Sequence, residues 1–153
     1  MSFLENKIPP PVVLIVCLVL MWLISRETAS LEIDSEIKLL ASSFMFILGV
    51  CIAVAGIVSF RKAKTTVNPL KPEEATHLVV VGIFKYTRNP MYLGMLSVTI
   101  GMLIKLSNPW AVVMVLVFYF YINRYQIIPE ERAMQKLFGD QFTGYAKRVR
   151  RWL

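Results

Sequence analysis

Four long stretches without a charged side chain limit what this chain can fold into more than any other feature. They are residues 8–25, 39–60, 89–104 and 106–123. A helix rises ~1.5 Å per residue, so crossing a hydrocarbon core of ~30 Å takes about 20 residues. The first, second and fourth stretches meet that length. The third is short, but only Lys105 separates it from the fourth, and a lysine there can extend to the interface. We therefore predict an all-α integral membrane protein with about four transmembrane helices.

Composition supports this class. Hydrophobic residues make up 56% of the 153 residues, whereas soluble domains average roughly 45–50% even with glycine counted. The length suits one domain. We expect residues 1–153 to form a single membrane domain, with two spans in residues 1–60 and a loop, a helical hairpin and a C-terminal helix in residues 61–153. Cys17 and Cys51 lie within apolar stretches and are expected to be small buried side chains, and no metal-ligand spacing is present.

The distribution of lysine and arginine predicts the orientation. Residues 26–38 contain two basic and four acidic side chains, whereas residues 61–88 contain six basic and two acidic ones. The tail from residue 124 carries seven basic side chains against three acidic. The positive-inside rule then places residues 61–88, the tail and both termini in the cytoplasm of a multi-pass protein of the cell (inner) membrane. The net charge of +7 is explained by topology and by attraction to anionic membrane lipids, and no nucleic-acid partner is expected.

Residues 61–90 are too long and too apolar for a simple turn, which favours a binding loop. They end where Asn89 suits a helix N-cap and Pro90 suits the first helical position. Two interpretations stay open here. Either this is a stable helix start with Arg88 anchored at lipid head groups, or the free N–H groups of the helix end meet a ligand carboxylate, such as that of a methionine moiety.

Glu130 and Glu131 follow the fourth apolar stretch and Pro129. Ionised side chains close to the hydrocarbon core of a membrane need partners. Either the two glutamates interact with the dipole of a new helix, or one of them contacts a polar ligand. Apolar residues beyond them recur at helical spacing and are interrupted by Gly139 and Gly144. This pattern predicts one amphipathic interfacial helix, or two short ones, on the inner leaflet or capping the bundle.

Within the second stretch, Gly49 and Gly56 form a small-residue face suited to close helix packing, either within one chain or between two.

Two segments resemble a known family. LVVVGIFKYTRNPMYLG, followed further along the chain by PEERAMQKLFGDQFTGYAKRVRRWL, resembles the isoprenylcysteine carboxyl methyltransferase family. Its wider relatives include phospholipid methyltransferases and, more distantly, membrane sterol reductases. The resemblance covers roughly residues 61–153. It implies a methyltransferase that binds S-adenosylmethionine (SAM) in a cytoplasmic cofactor pocket and yields S-adenosylhomocysteine. The implied acceptor is a membrane-embedded lipid or a prenylated small molecule.

The resemblance also assigns residues by position. Glu130 would accept hydrogen bonds from a polar group of the cofactor, and Leu78 and Val79 would flank its adenine. The cofactor-binding residues that it implies are His77, Leu78, Val79, Phe84, Asn89, Pro90, Met91, Tyr92 and Glu130.

This sequence departs from the family pattern at two of the implied site positions. Asn89 stands where better-studied members have histidine, so a titrating imidazole is absent, although an amide still donates and accepts hydrogen bonds. Gln126 stands where the eukaryotic isoprenylcysteine enzyme has an arginine clamp for the substrate carboxylate, which argues against an isoprenylcysteine substrate. Arg124, two residues earlier, is the candidate substitute, so Arg124 and Gln126 are the implied substrate-binding residues.

Methyl transfer from a sulfonium neutralises charge, so the protein mainly positions the reactants and excludes water. A carboxylate acceptor needs no base. An amine acceptor must lose a proton, and Glu131 is then the candidate base, with Arg124 as the second candidate catalytic residue. Two alternatives stay open: a non-catalytic membrane binding or assembly protein of the same fold, and an NADPH-dependent membrane reductase. The absence of a GxGxxG fingerprint argues against the reductase.

Overall fold

The computed structural model describes residues 5–63 and 76–153. Within these ranges the chain is helical and has no β-strand, which confirms the all-α prediction. Residues 64–75 of the predicted binding loop lie outside the described ranges. The helices are α1 (Pro10–Glu27), α2 (Ser35–Lys62), α3 (Pro90–Leu106), α4 (Val112–Ile122) and α5 (Ile128–Arg148), with 3-10 turns at Gly82–Lys85 and Pro109–Ala111 and a π-helical turn at Asn123–Ile127.

Three helical segments of the described chain are long and apolar enough to cross a membrane: α1, α2 and the continuous segment Pro109–Arg148. The third contains 40 residues, which at ~1.5 Å per residue is about twice the length that a hydrocarbon core requires. Its uncharged part ends at Asn123, so Glu130 and Glu131 follow the apolar span. Helix α3 contains 17 residues and is the shortest of the expected spans.

Local sequence sets where the helices begin and end. Pro10 and Pro90 stand at the first positions of α1 and α3, where a missing N–H costs no hydrogen bond. Helix α2 begins at Ser35, before its uncharged stretch, because the Asp34 carboxylate accepts hydrogen bonds from two backbone N–H groups of the first turn. Ser107 ends α3 in a left-handed conformation, which turns the chain back toward α4.

Helices α2 and α3 approach each other through glycines. A Cβ atom on Gly49 would lie 2.6 Å from the carbonyl oxygen of Gly94, and one on Gly94 would lie 2.5 Å from that of Gly49. About two turns further along α2, Gly56 packs against Pro90 and Met91. The small-residue face of α2 therefore packs within the chain, against the helix that carries the candidate site.

The core between α1, α3 and α4 contains Cys17, Tyr92, Phe118, Ile122 and Ile127, all buried. Cys17 is thus buried as expected. The expectation for the other cysteine is wrong: Cys51 is exposed on α2, because that position faces away from α3.

Helix α5 bends at Gly139, whose backbone (φ 49°, ψ −121°) is non-helical. Gly144, the other expected break, lies inside the regular helix. After the bend, Phe142 and Tyr145 pack against Val79 and Phe84. After the bend the helix therefore packs against the protein, next to the segment that precedes α3. Its placement on the inner leaflet stays a prediction.

Candidate functional site

A cavity lies where the N-terminal ends of α3 and α5 meet the C-terminal end of α2. The empty space within it and in its open mouth is about 230 Å³. Side chains from four separate segments form its wall, which brings together residues far apart in the sequence. The lining residues are Phe60, Phe84, Arg88, Asn89, Pro90, Met91, Tyr92 and Glu130.

A hydrogen bond between α3 and α5 forms one side of this cavity. The hydroxyl group of Tyr92, a buried residue of the first turn of α3, donates to the carboxyl group of Glu130. The pKa of Glu130 is raised to about 8, mainly because the carboxyl is removed from water. The hydrogen bond from Tyr92 lowers this pKa, and the nearby charge of Glu131 raises it. The Glu130 carboxyl therefore holds its proton at neutral pH unless a cation lies beside it.

The neighbouring carboxylate, Glu131, lies between two arginines. Its oxygens are 2.5 Å from an Arg88 nitrogen and 2.6 Å from an Arg151 nitrogen. Burial raises the pKa of Glu131, but the hydrogen bonds and charges of Arg151 and Arg88 outweigh it, so the pKa lies below its ordinary value. This carboxylate is ionised at neutral pH and is a weak proton acceptor.

Arg88 points into the protein, and the interpretation that it anchors at lipid head groups is wrong. Its side chain is 13% exposed and also donates to the carbonyl oxygens of Ala146 (2.9 Å) and Val149 (2.6 Å). The Nε–H group of Arg88 is buried and has no acceptor among the described residues. One donor of a buried guanidinium beside the cavity is thus unused.

The C-terminal end of the chain covers the start of α3. The amide of Arg88 donates to the carbonyl of Arg150 (3.0 Å), and the Asn89 side chain donates to the carbonyl of Arg151 (2.9 Å). Thr87 donates its hydroxyl to the same Arg151 carbonyl (3.2 Å). Asn89 occupies the N-cap position, but its side-chain oxygen makes no capping bond, and its side-chain amide donates to the C-terminal backbone.

Three predicted cofactor residues do not line the cavity. His77 is exposed, with its Nδ1 atom 3.1 Å from the hydroxyl of Thr76. Val79 is buried, and Leu78 packs beside it, in the cluster formed with the C-terminal helix.

The two predicted substrate residues contact the N-terminal segment instead of the cavity. Arg124 lies 2.8 Å from a carboxylate oxygen of Glu5, and Arg132 lies 2.5 Å from the other oxygen. Gln126 is fully buried and donates to the carbonyl of Ile8 (2.8 Å), while its side-chain oxygen has no partner among the described residues.

Three residues at or around the cavity were not among the predicted site residues: Phe60, Arg88 and Arg151. Arg88 could have been predicted from the sequence, because it is a basic residue directly before the Asn89-Pro90 helix start. Phe60 is one of many aromatic residues in an apolar stretch, and Arg151 is one of several basic residues in the tail, so neither was distinguishable by pattern.

Comparison with known proteins gives an independent result. The family model described as phospholipid methyltransferase matches residues 37–141. Protein-S-isoprenylcysteine O-methyltransferases B and A of Arabidopsis thaliana are 32% and 33% identical to the chain over 108 residues. The matched regions cover 69% of this chain and 53% of each plant protein, so the chain spans about half the length of these relatives.

An uncharacterized protein of Haemophilus influenzae is 38% identical over 63 residues, which is 41% of this chain and all of that protein. No solved structure matches the chain at a significant level. The matched family region begins in α2, ends in α5 and includes every residue that lines the cavity. The chain therefore belongs to the phospholipid methyltransferase and isoprenylcysteine methyltransferase family.

Proposed function

We propose that this protein is a SAM-dependent methyltransferase whose acceptor is a membrane-embedded lipid or another lipophilic small molecule. Family membership supports a methyltransferase with a lipid-like acceptor. The observation that supports the finer proposal is the Tyr92–Glu130 hydrogen bond at the cavity, because it holds a partly buried carboxyl in the cavity wall, and a carboxyl can accept hydrogen bonds from an ammonium group such as that of SAM.

The residues around the cavity fit the chemistry of SAM. Its amino-acid end carries an ammonium and a carboxylate, which suit the Glu130 carboxyl and the unused N–H of Arg88 respectively. The rings of Phe60 and Phe84 stand edge to face, with centroids 5.0 Å apart. Aromatic surface of this kind attracts both a sulfonium and a purine ring. When bound, SAM supplies the activated methyl group.

The protein's own contribution is then binding, orientation and exclusion of water. Glu130 and Tyr92 orient the amino-acid end, together with Asn89, Pro90 and Met91 on the same turn of α3. For His77, Leu78 and Val79 we propose a supporting position next to the cavity wall. Glu131 stays the candidate base for an amine acceptor by its position, but its two arginine partners favour a role in holding the site together.

For the acceptor, we propose that Arg124 and Gln126 contribute on the side of the N-terminal segment. Arg124 is half-exposed, so a substrate anion could replace Glu5 as its partner. The unpartnered buried oxygen of Gln126 suits a hydrogen-bond donor on the substrate. Product release would yield S-adenosylhomocysteine and the methylated lipid.

We also propose that α3 crosses the membrane as the shortest of four spans, with both termini and the cavity on the cytoplasmic side of the inner membrane. The basic side chains of residues 61–88 and of the tail support this orientation.

Methyl transfer can be tested with membranes that contain the full-length protein and SAM labelled in its methyl group. We expect label in the lipid extract with the wild type and a large loss with Glu130→Gln. Asp140→Asn, an exposed acidic position on α5, is the matched control and should keep the activity. No transfer by the wild type above protein-free membranes would contradict the proposal and favour a non-catalytic binding protein.

A further inference from the structure

Arg151, in the C-terminal tail, makes contacts that a solvated tail arginine would not make. Its guanidinium donates three hydrogen bonds to Glu131, at 2.6, 3.0 and 3.1 Å. Its backbone carbonyl accepts from Thr87 and Asn89. A single residue of the C-terminal tail thus contacts two of the segments that form the cavity, the start of α3 and the start of α5.

Glu131 transmits this contact across the site. Arg151 donates to both of its oxygens, and one of them, Oε1, also accepts from Arg88 at 2.5 Å, so the carboxylate joins the tail to the start of α3. Arg88 is one position from Asn89, and Glu131 is one position from Glu130, and both of those neighbours line the cavity. The Arg88–Glu131–Arg151 network therefore fixes the separation between the two walls that the Tyr92–Glu130 hydrogen bond joins.

The network is partly shielded from water, which makes it stiffer than a surface ion pair. The Arg88 and Glu131 side chains are 13% and 19% exposed, and the Arg151 side chain is 39% exposed. A two-pronged guanidinium–carboxylate contact also restricts orientation in a way that a single charge contact does not. Trp152, the next residue, packs against Tyr119 of α4 with ring centroids 5.2 Å apart, which holds the tail in place.

We infer that Arg151 is a positioning residue of the cofactor cavity: acting through Glu131 and Arg88, it holds the N-terminal ends of α3 and α5 in the geometry that binds the methyl donor. This inference rests on the proposed function, since it names what the cavity binds. It assigns to Glu131 a structural task at the site, in place of proton transfer.

The test compares Arg151→Ala with Arg150→Ala in the full-length protein in detergent. Arg150 is the matched control, because its side chain is exposed and makes no hydrogen bond within the described residues, while its carbonyl is unaffected by substitution. We expect Arg151→Ala to raise the Kd for S-adenosylhomocysteine about tenfold, and Arg150→Ala to leave it within twofold. Arg151→Lys should restore part of the affinity, since an ammonium keeps the charge but not the fork of donors.

A double-mutant cycle separates positioning from general loss of charge. In a Glu131→Gln background the Arg151→Ala change should have little further effect, because its partner carboxylate is gone. Additive effects of the two substitutions would overturn the inference, as would equal affinities for Arg151→Ala and Arg150→Ala.

A ligand-independent measurement keeps this outcome distinct from failure of the proposed function. Hydrogen exchange should be faster for residues 87–92 in Arg151→Ala than in Arg150→Ala, because the Arg88 amide loses its ordered acceptor on the tail. Unchanged exchange overturns the inference whatever the ligand. A wild type that binds neither SAM nor S-adenosylhomocysteine overturns the proposed function instead.

Discussion

The Tyr92 hydroxyl donates to the Glu130 carboxyl across 38 positions of sequence, and this hydrogen bond joins the start of α3 to the start of α5. Tyr92 also belongs to the core formed with α1 and α4. The carboxyl that we assign to the cofactor is thus held by a residue whose ring is fixed by packing. A rigid support of this kind keeps a binding group oriented before the ligand arrives.

Tyr92→Phe tests that support while keeping the ring in the core. Because the hydrogen bond from Tyr92 lowers the pKa of Glu130, its loss should raise that pKa and leave less carboxylate at neutral pH. A hydrogen bond to a charged group contributes about 1.5–3 kcal/mol, so we expect the SAM affinity at pH 7 to fall by about tenfold or more. Calorimetry measures the affinity, and thermal unfolding checks that the fold is retained. Equal affinities for the variant and the wild type would contradict the assignment.

Proton release on binding follows from the Glu130 pKa of about 8. The carboxyl is protonated in the empty site below that pH, and an adjacent ammonium would favour the ionised form. SAM binding at pH 7 should therefore release close to one proton, and the affinity should rise as the pH increases from 6 toward 8. Calorimetry in buffers of different ionisation enthalpy measures the release. Glu130→Gln should release none, and an equal release from this variant would assign the proton to another group.

Because α2 packs closely on α3, we expect a larger side chain at Gly49 to lower the stability of the fold. In Gly49→Ala the added Cβ would lie 2.6 Å from a backbone oxygen of α3, so the helices must separate, and overpacking of this type costs about 1–3 kcal/mol. Gly144→Ala is the control, because nothing lies within 4 Å of its added Cβ and alanine is the better helix former. Thermal unfolding in detergent should show a lower Tm for Gly49→Ala only. A similar decrease in Tm for both variants would contradict the view that the Gly49–Gly94 contact stabilises the fold.

Orientation can be tested by fusing reporters to the chain. The basic tail predicts a cytoplasmic C-terminal end. A reporter that is active only in the cytoplasm should therefore be active when it is fused after Leu153. A second reporter within residues 28–34, between α1 and α2, should show the opposite location. Activity of the C-terminal fusion on the outer side would reverse the proposed topology.

The sequence was sufficient for the class of fold and for part of the site. Uncharged stretches predict helices because a membrane core leaves few other structures possible, and Pro90 marks the start of α3 by local chemistry. Only the family resemblance predicted that the turn from Asn89 to Tyr92 and the carboxyl of Glu130 belong to one site. The structure brings them to one cavity.

Long-range partners were beyond the reach of sequence pattern. The Glu131 carboxylate looked like a candidate base, because the residues next to it in the sequence do not show that Arg88 and Arg151 contact it in the fold. Asn89 looked like a helix cap, but its side chain makes no capping bond and its amide donates to the backbone of the tail. Arg124 looked free for a substrate, whereas Glu5, 119 positions away, binds it. Each of these outcomes depends on how α5 and the two chain ends pack, which local propensity does not specify.

The central claim is that this cavity binds SAM through Glu130. The most direct measurement is a calorimetric titration of the purified full-length protein in detergent with SAM, S-adenosylhomocysteine and NADPH, repeated with Glu130→Gln. We predict saturable binding of SAM and S-adenosylhomocysteine to the wild type, no binding of NADPH, and a Kd for SAM at least tenfold higher in Glu130→Gln. Absence of SAM binding, binding of NADPH alone, or an unchanged Kd in Glu130→Gln would contradict the claim.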